Sequence, residues 1–437
     1  MKLSTISAAL LLLSPFAQAI TLDLNLQKTM PEIEKLYLDL HQSPELSYHE
    51  KQTGQKLAKK LKQLGFTVTD NVGGFGVVGI YKNGDGPTVM IRTDTDGLPI
   101  VEQTGKPYAS KVTVTNDAGA TVGVMHGCGH DIHMSSFIGT AQQLMTHKDQ
   151  WQGTLMMVAQ PAEEVGGGAK AMLKEGLFTK YPTPDHVIGL HVSASVPAGK
   201  VSMKTEYTMA SVDSVDITVK GKGGHGAYPH TTIDPVVIAS RIVLALQTIT
   251  SRELSPLEPS VITVGSIHGG SKHNVISDEV KLQLTLRSYN PEVRLQQIAA
   301  IKRISKGIAL SAGLDKSLAP EVYVHEDESI PSTYNNPTQT NLVRSAIANA
   351  IGEDNVLETE AVMAGEDFGL YGRTEQNVPI TLFWLGGVEP SQYDAAMQSG
   401  ATLPSLHSSK FAPDYKKALP TGITAMSNAA VALFNKK

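Results

Sequence analysis

Met125-His126-Gly127-Cys128-Gly129-His130-Asp131-Ile132-His133-Met134 packs the chain's single cysteine, three histidines and an aspartate into ten residues. A thiolate and imidazoles on so short a loop reach a common centre. Soft S and N donors of this kind suit zinc, manganese, cobalt or nickel better than calcium. Gly127 and Gly129 let the backbone bend tightly enough to aim alternate side chains inward. Taken alone, the stretch reads as a metal loop or as a set of buried structural side chains, because such tracts gain meaning only in context. The rest of the chain supplies that context.

At 437 residues the chain is too long for one compact core, so two domains are the first expectation. A charged fraction of 18% and a hydrophobic fraction of 41% describe a soluble globular protein. The formal charge of -5, without any Lys/Arg run, excludes a broad nucleic-acid surface. At the N-terminus Lys2 precedes an apolar run, Ala8 to Leu13, and then the small-x-small site Ala17-Gln18-Ala19. Residues 1–19 are therefore expected to be a signal peptide cleaved after Ala19, with an uncleaved signal anchor as the alternative. No apolar run is long enough to span a bilayer. The mature protein is expected to be exported, soluble and free of the membrane, with a bacterial periplasm as its destination. In an oxidising compartment Cys128 has no partner within the chain. A metal ligand explains such a thiol better than an inert buried group or an intermolecular disulfide does.

Hydrophobic periodicity places helices from Pro31 to about Leu40 and from about Tyr48 to Leu64, the second stopped by Gly65. Between them, His41 and Glu45 read as capping or surface residues. Apolar strands at Gly76 to Tyr81 and Thr88 to Arg92 flank Asn83-Gly84-Asp85-Gly86, a hairpin signal. Three strands then end in polar groups: Thr88 to Arg92 in Asp94 and Asp96, Thr154 to Ala159 in Glu163 and Glu164, and Val187 to Leu190 in His191. The carboxyl ends of strands are where open α/β sheets build their sites. From Val212 the pattern becomes alternating strands interrupted by two helices, each opened by an N-cap and proline, Asp234-Pro235 and Asn290-Pro291. The order is β-α-β-β-α-β, a ferredoxin-like α+β unit. This gives an α/β catalytic domain in two parts, 20–211 and 331–437, with an inserted domain at 212–330.

Cys128, His130, Glu164, His191 and His407 collect as candidate ligands, a mixed N, O and S set suited to two adjacent divalent ions. Adjacent residues at a strand end point different ways, so Glu164 can bind metal while Glu163 faces a bound water as general base. Two solvated glutamates are the alternative for that pair alone.

With these residues assembled, the chain resembles metallopeptidase family 20, specifically subfamily D. That branch holds N-acyl-amino-acid amidohydrolases, hippurate hydrolases and plant indoleacetyl-amino-acid hydrolases. The stretches that carry the resemblance are His41 to Leu46, Arg92 to Pro99, Met125 to His133, Gln160 to Glu164, Gly189 to His191, Gly221 to His230, Asn274 to Asp278, Gly365 to Phe368 and Leu406-His407. The resemblance implies a mixed-sheet zinc-peptidase-like catalytic domain and an inserted lid and dimerisation domain, hence a homo-oligomer through the lid. It also implies that Cys128, His130, Glu164, His191 and His407 hold two divalent metal ions and that Glu163 is the general base and acid. Asp94, and with it Asp131, falls where the ligands are supported from behind; ordinary loop hydrogen bonding is the alternative for Asp131. His225 matches the histidine that stabilises the oxyanion, in some members from a neighbouring subunit, with an exposed turn residue as the alternative. Asn274 and Arg287 match substrate-facing positions, while a solvent-face residue is the alternative for Arg287. Ser277 stands where relatives carry proline, which loosens the loop around Asn274.

The implied activity is hydrolysis of an N-acyl amino acid, with Glu163 taking the proton of the attacking water and returning it to the leaving amine. Cleavage of short peptides is the nearest alternative. A non-catalytic periplasmic binding protein is the alternative from a different class, and it has no use for Glu163 beside a full ligand set. Within the opening stretch, Cys128 and His130 are kept as ligands, and His126 and His133 become supporting or structural.

Overall fold

The computed structural model describes residues 21, 22 and 24–436, so the expected signal peptide lies outside the described residues. The main sheet has eight strands. Its four central members, in the order Gly153–Gln160, Thr88–Asp94, His186–Pro197 and Ile380–Val388, run parallel. Gly76–Asn83 and Thr67–Val72 extend one side antiparallel, and Val201–Met203 with Val356–Glu358 extend the other. The central strands are almost wholly buried, which is why they read as continuous apolar runs and not as alternating ones. Five helices, Met30–Gln42, Lys51–Gln63, His130–Thr146, Pro337–Ile351 and Tyr415–Phe434, pack residues such as Ile33, Leu57, Phe137 and Ile423 on one face. Met172, Phe368 and Tyr371, from Gly168–Glu175 and Asp367–Arg373, cover the other face. Parallel strands put all their carboxyl ends on one edge, and the polar residues are gathered there.

The turn at Asn83-Gly84-Asp85-Gly86 differs from its expectation, because its flanking strands do not pair. Gly153–Gln160 lies between them, antiparallel to Gly76–Asn83 and parallel to Thr88–Asp94. That strand is apolar along its length and gains a hydrogen-bonded neighbour on each edge by this insertion. The turn must then span two strand spacings, about 10 Å. A second difference concerns the strand carrying His191, which does not stop there but continues to Pro197.

Residues 213–324 form a separate antiparallel sheet in the order Ser260–Gly269, Glu279–Ser288, Asp213–Lys220, Glu321–Val324. With helices Pro235–Thr248 and Pro291–Ser311 the chain order is β-α-β-β-α-β, as the periodicity suggests. The N-caps act as expected, since Asp234 and Asn290 accept the N–H of Val236 and Glu292 at 2.8 and 3.0 Å. Val215, Ile217, Ile242, Leu282 and Ile301 fill a core of their own. The two stretches that lead in and out lie side by side, with Val212 and Ile330 exchanging backbone hydrogen bonds of 3.0 and 3.1 Å. Among the described residues no helix is long and apolar enough to cross a membrane.

Gly153, the first residue of the inserted strand, has φ +130°, and a Cβ there would lie 2.2 Å from the Pro87 carbonyl oxygen just past the turn. Gly153→Ala is therefore expected to lower the unfolding free energy by about 1–3 kcal/mol, read from a urea titration. An unchanged midpoint would show that the turn shifts freely.

Candidate metal centre

The stretch from His126 to Gly129 wraps into the N-terminus of helix His130–Thr146, with Gly129 at φ +77°. A Cβ on Gly129 would meet Val192 Cγ1 at 2.4 Å, so this glycine is what lets the loop lie against the His191 strand. Cys128 Sγ then stands 3.5 Å from His191 Nε2 and 3.3 Å from His407 Nε2. His407 itself has φ +64° and is fixed by its N–H donating to Gly127 O at 2.9 Å. Its Nε2 is 3.4 Å from Glu164 Oε2, while His130 Nε2 is 3.8 Å from Glu164 Oε1 and 3.9 Å from Glu163 Oε2. Cys128, His130, Glu163, Glu164, His191 and His407 are thus brought together from four separate parts of the chain.

Hydrogen bonds set the histidine tautomers. His130 Nδ1 donates to Asp96 O and His191 Nδ1 to Val192 O, both at 2.8 Å, leaving each Nε2 as a lone-pair donor facing the cluster. His130 Nε2 and Glu164 Oε1 are buried without a hydrogen-bond partner among the described residues. Burial, with the charges of Glu366, Glu164 and Asp367, pushes the Glu163 carboxyl well up. Burial pushes Glu164 up to about 7, and burial and Glu164 push the Cys128 thiol up. Anionic donors crowded this way need positive charge, and a divalent ion reverses the unfavourable balance. The donor set fits a metal.

His133 is used up elsewhere: Nδ1 donates to Asp94 Oδ1 at 2.6 Å and Nε2 accepts the Val192 N–H at 2.7 Å. Burial lowers it to about 3, so it stays neutral. Burial likewise lowers His126 to about 4. Asp94 borders the cluster, with Oδ2 3.8 Å from the cluster-facing His130 Nε2. Asp131 does not: one position further around the helix from His130, its carboxylate meets His41 Nδ1 at 2.6 Å. His41 is thereby corrected from a surface or capping residue to a buried one, whose Nε2 also lies 3.2 Å from Glu102 Oε1. Glu45 does cap, accepting the N–H groups of Gln52 and Thr53 at 3.2 and 2.8 Å.

Arg287 lines a cavity of about 960 Å³ together with Cys128, Glu163, Glu164, His191 and His407. His225 and Asn274 are outside that lining. They sit together on an exposed two-stranded ribbon, where His225 pairs with Val275 and Gly226 N–H donates to Asn274 O at 2.8 Å.

Sequence reasoning gave no role to three contributors, Arg92, Glu366 and Asp367, and placed Asp96 at the edge without a partner. Arg92, 2% exposed, donates to Asp94, Glu366 and Asp367 at 2.7, 2.9 and 3.0 Å and to Gln160 Oε1 at 2.9 Å. Glu366 and Asp367 close on the rear of Glu163. Asp96 holds the Glu164 N–H at 3.0 Å. An arginine inside an apolar strand was the available signal, since such residues are rarely buried unpaired.

Residues 90–426 match the family model described as Peptidase family M20/M25/M40. The chain belongs to that family. It is a metal-dependent amidohydrolase or peptidase of the M20 kind. The chain is 37% identical over 403 residues to thermostable carboxypeptidase 1 of Saccharolobus solfataricus, covering 91% of this chain and 94% of the relative. It is 35% identical over 345 residues to the hippurate hydrolase of Campylobacter jejuni, covering 78% and 85%. A crystal structure of the Bacillus subtilis YXEP protein, described as a dinuclear metal-binding peptidase from the M20 family, superposes with a TM-score of 0.75 at 29% identity, covering 93% of this chain and 99% of that one. The mixed α/β sheet architecture expected from the sequence is the fold of these M20 proteins.

Behind the M20 site, burial acts to lower His41, but the Asp131 and Glu102 carboxylates outweigh it and raise it to about 10. A raised histidine stabilises fully below its ordinary value of about 6.5, and that contribution is lost as pH climbs through about 10. The melting-temperature gap between the wild type and His41→Gln is thus expected to shrink steadily from about pH 7 to pH 10. A gap that stays constant from pH 7 to pH 10 would mean that His41 is neutral in the folded protein.

Proposed function

We propose that this chain is an exported dinuclear amidohydrolase that cleaves the amide bond of N-acyl amino acids with aliphatic or aromatic acyl groups. The convergence of Cys128, His130, Glu164, His191 and His407 beside Glu163, in a cavity that also holds Arg287, carries the reading. Two ions are supported by the ligand count and by the dinuclear description of the Bacillus relative; zinc, manganese, cobalt or nickel suits these donors. Bound there, such ions polarise the scissile carbonyl and acidify a water.

The protein's own groups do the rest. Glu163 takes the proton of the attacking water and returns it to the leaving amine, a task suited to a carboxyl whose pKa is raised. Arg287, half-buried and with no carboxylate in ion-pair range among the described residues, takes the substrate carboxylate. Met209, Val212, Ile330, Met363 and Trp384 give the acyl group an apolar wall. Asp94, held by Arg92 and His133, supports the ligands beside His130, whereas Asp131 turns to His41 and takes no part.

In this reading residues 212–330 are a lid, inserted between 20–211 and 331–437. His225 Nδ1 accepts the Ala227 N–H at 3.0 Å, which leaves Nε2–H free to donate to an oxyanion. Closure of the lid, or a neighbouring subunit joined through it, delivers that group together with Asn274. Export rests on residues 1–19 alone. Peptide cleavage is the second reading, favoured by the 37% identity to a carboxypeptidase.

A turnover screen of hippurate, N-acetyl and indoleacetyl amino acids against dipeptides decides between the two, with faster hydrolysis of the acylated substrates expected. Glu163→Gln should retain metal but lose turnover by at least about a hundredfold; full activity would sink the mechanism. Cys128→Ala should lose bound metal in elemental analysis, whereas unchanged content would leave the thiol a structural role.

A further inference from the structure

The turn that presents Glu163 is held in a conformation its sequence does not favour. Ala162 has φ +51°, in the left-handed region where a Cβ is strained. On one side, the Ala162 carbonyl accepts the N–H groups of Gly167 and Gly168, each at 3.1 Å. On the other, the two amides that flank Glu163 both donate to carboxylates. Glu164 N–H donates to Asp96 Oδ2 at 3.0 Å, an oxygen that Ser47 Oγ–H also holds at 2.6 Å. Ala162 N–H donates to Glu50 Oε1 at 2.7 Å.

Glu50 is the unexpected member. It occupies the N-cap position of helix Lys51–Gln63 but makes no cap with its side chain, a duty that falls to Glu45. It is 0% exposed, its Oε2 has no hydrogen-bond partner, and no Lys, Arg or His pairs with it among the described residues. A buried carboxylate in that state is costly to keep, and its side-chain contact is the amide of the strained residue. We propose that Glu50 is a positioning residue for the reaction: it pins the left-handed turn at Ala162 and so fixes the direction in which Glu163 faces the ligand cluster. This rests on the reading of Glu163 as general base.

The test uses the holoenzyme and a four-protein cycle of wild type, Glu50→Met, Ala162→Gly and the double variant. Methionine keeps the volume and removes the acceptor, and glycine adopts positive φ unaided. In Glu50→Met, kcat on hippurate should fall about tenfold to a hundredfold with KM within about twofold and metal content unchanged, because Asp96 still holds Glu164. Glu50→Gln, which keeps an acceptor oxygen, should retain more turnover than Glu50→Met. Ala162→Gly should recover at least half of the logarithmic loss in the Glu50→Met background. Unchanged kcat in Glu50→Met, metal loss in that variant, or an Ala162→Gly effect equal in both backgrounds would overturn the proposal.

Thermal unfolding of the metal-free proteins gives a readout independent of activity. Ala162→Gly should raise the melting temperature of Glu50→Met more than that of the wild type, and equal shifts would overturn the link. If the wild type hydrolyses no acylated amino acid, the functional reading fails while this melting cycle still judges Glu50. Should Glu50→Met fail to fold, the double variant is expected to fold, and insolubility of both counts against the proposal.

Discussion

Arg92 sits at the end of a central strand, 2% exposed, with its guanidinium reaching Asp94, Glu366 and Asp367 at once. Everything at that edge depends on the charge balance it sets. Asp94, Glu163, Glu164, Glu366 and Asp367 crowd one buried region, and self-repulsion would open it without a fixed cation. Arg92 is always charged and presents a planar fork, so it satisfies several carboxylates without titrating. Gln160 completes the arrangement by donating to both Asp367 oxygens at 2.8 and 2.9 Å while its carbonyl takes Arg92. The carboxylates nearest the cavity are the ones Arg92 does not reach. Those are Glu163 and Glu164, and burial raises both. Asp367 is raised as well, to about 7, because burial and the Glu366 charge outweigh its contact with Arg92. One guanidinium does not balance all these carboxylates, and the pair facing the cavity is where a metal fits.

Parallel topology explains why these groups meet at all. Strands Thr88–Asp94 and Gly153–Gln160 end side by side, so Asp94 and Gln160 are register partners. The adjoining strand brings His191 past the same edge, and Gly129 lets the cysteine loop close over it. Two of the six non-glycine residues at positive φ among the described residues, Ala162 and His407, lie here, and each is held by a hydrogen bond to a distant segment. Such positions persist where the surroundings over-determine them.

What was legible in the sequence had local causes. Caps at Asp234 and Asn290, period-2 strands in 213–324 and continuous apolar runs in the main sheet all follow from neighbours within a few residues. The split hairpin was not legible, because Asn83-Gly84-Asp85-Gly86 looks the same whether or not a third strand enters between its arms. His41 read as a surface residue because its partners, Asp131 and Glu102, are 90 and 61 residues away. The partner of Glu366 and Asp367 was hidden for the same reason, Arg92 being 274 and 275 residues distant.

The sequence by itself determined the chemistry: donor types, their order along the chain, and the pairing of Glu163 with Glu164 at a strand end. These are fixed by residue identity and short-range geometry, which a linear pattern preserves. Only the tertiary structure decided which donors share a centre, which nitrogen each histidine turns toward it, and where His225 and Asn274 stand. Most of those depend on contacts between segments tens to hundreds of residues apart, as His130 with Asp96 and Cys128 with His407, and sheet order and helix packing set such contacts. The loop from Met125 to Met134 contributes two donors, Cys128 and His130. It spends His133 on the backbone of the neighbouring strand and sends Asp131 away to His41, and that division comes from the helix turning side chains to different sides of a core the sequence does not display.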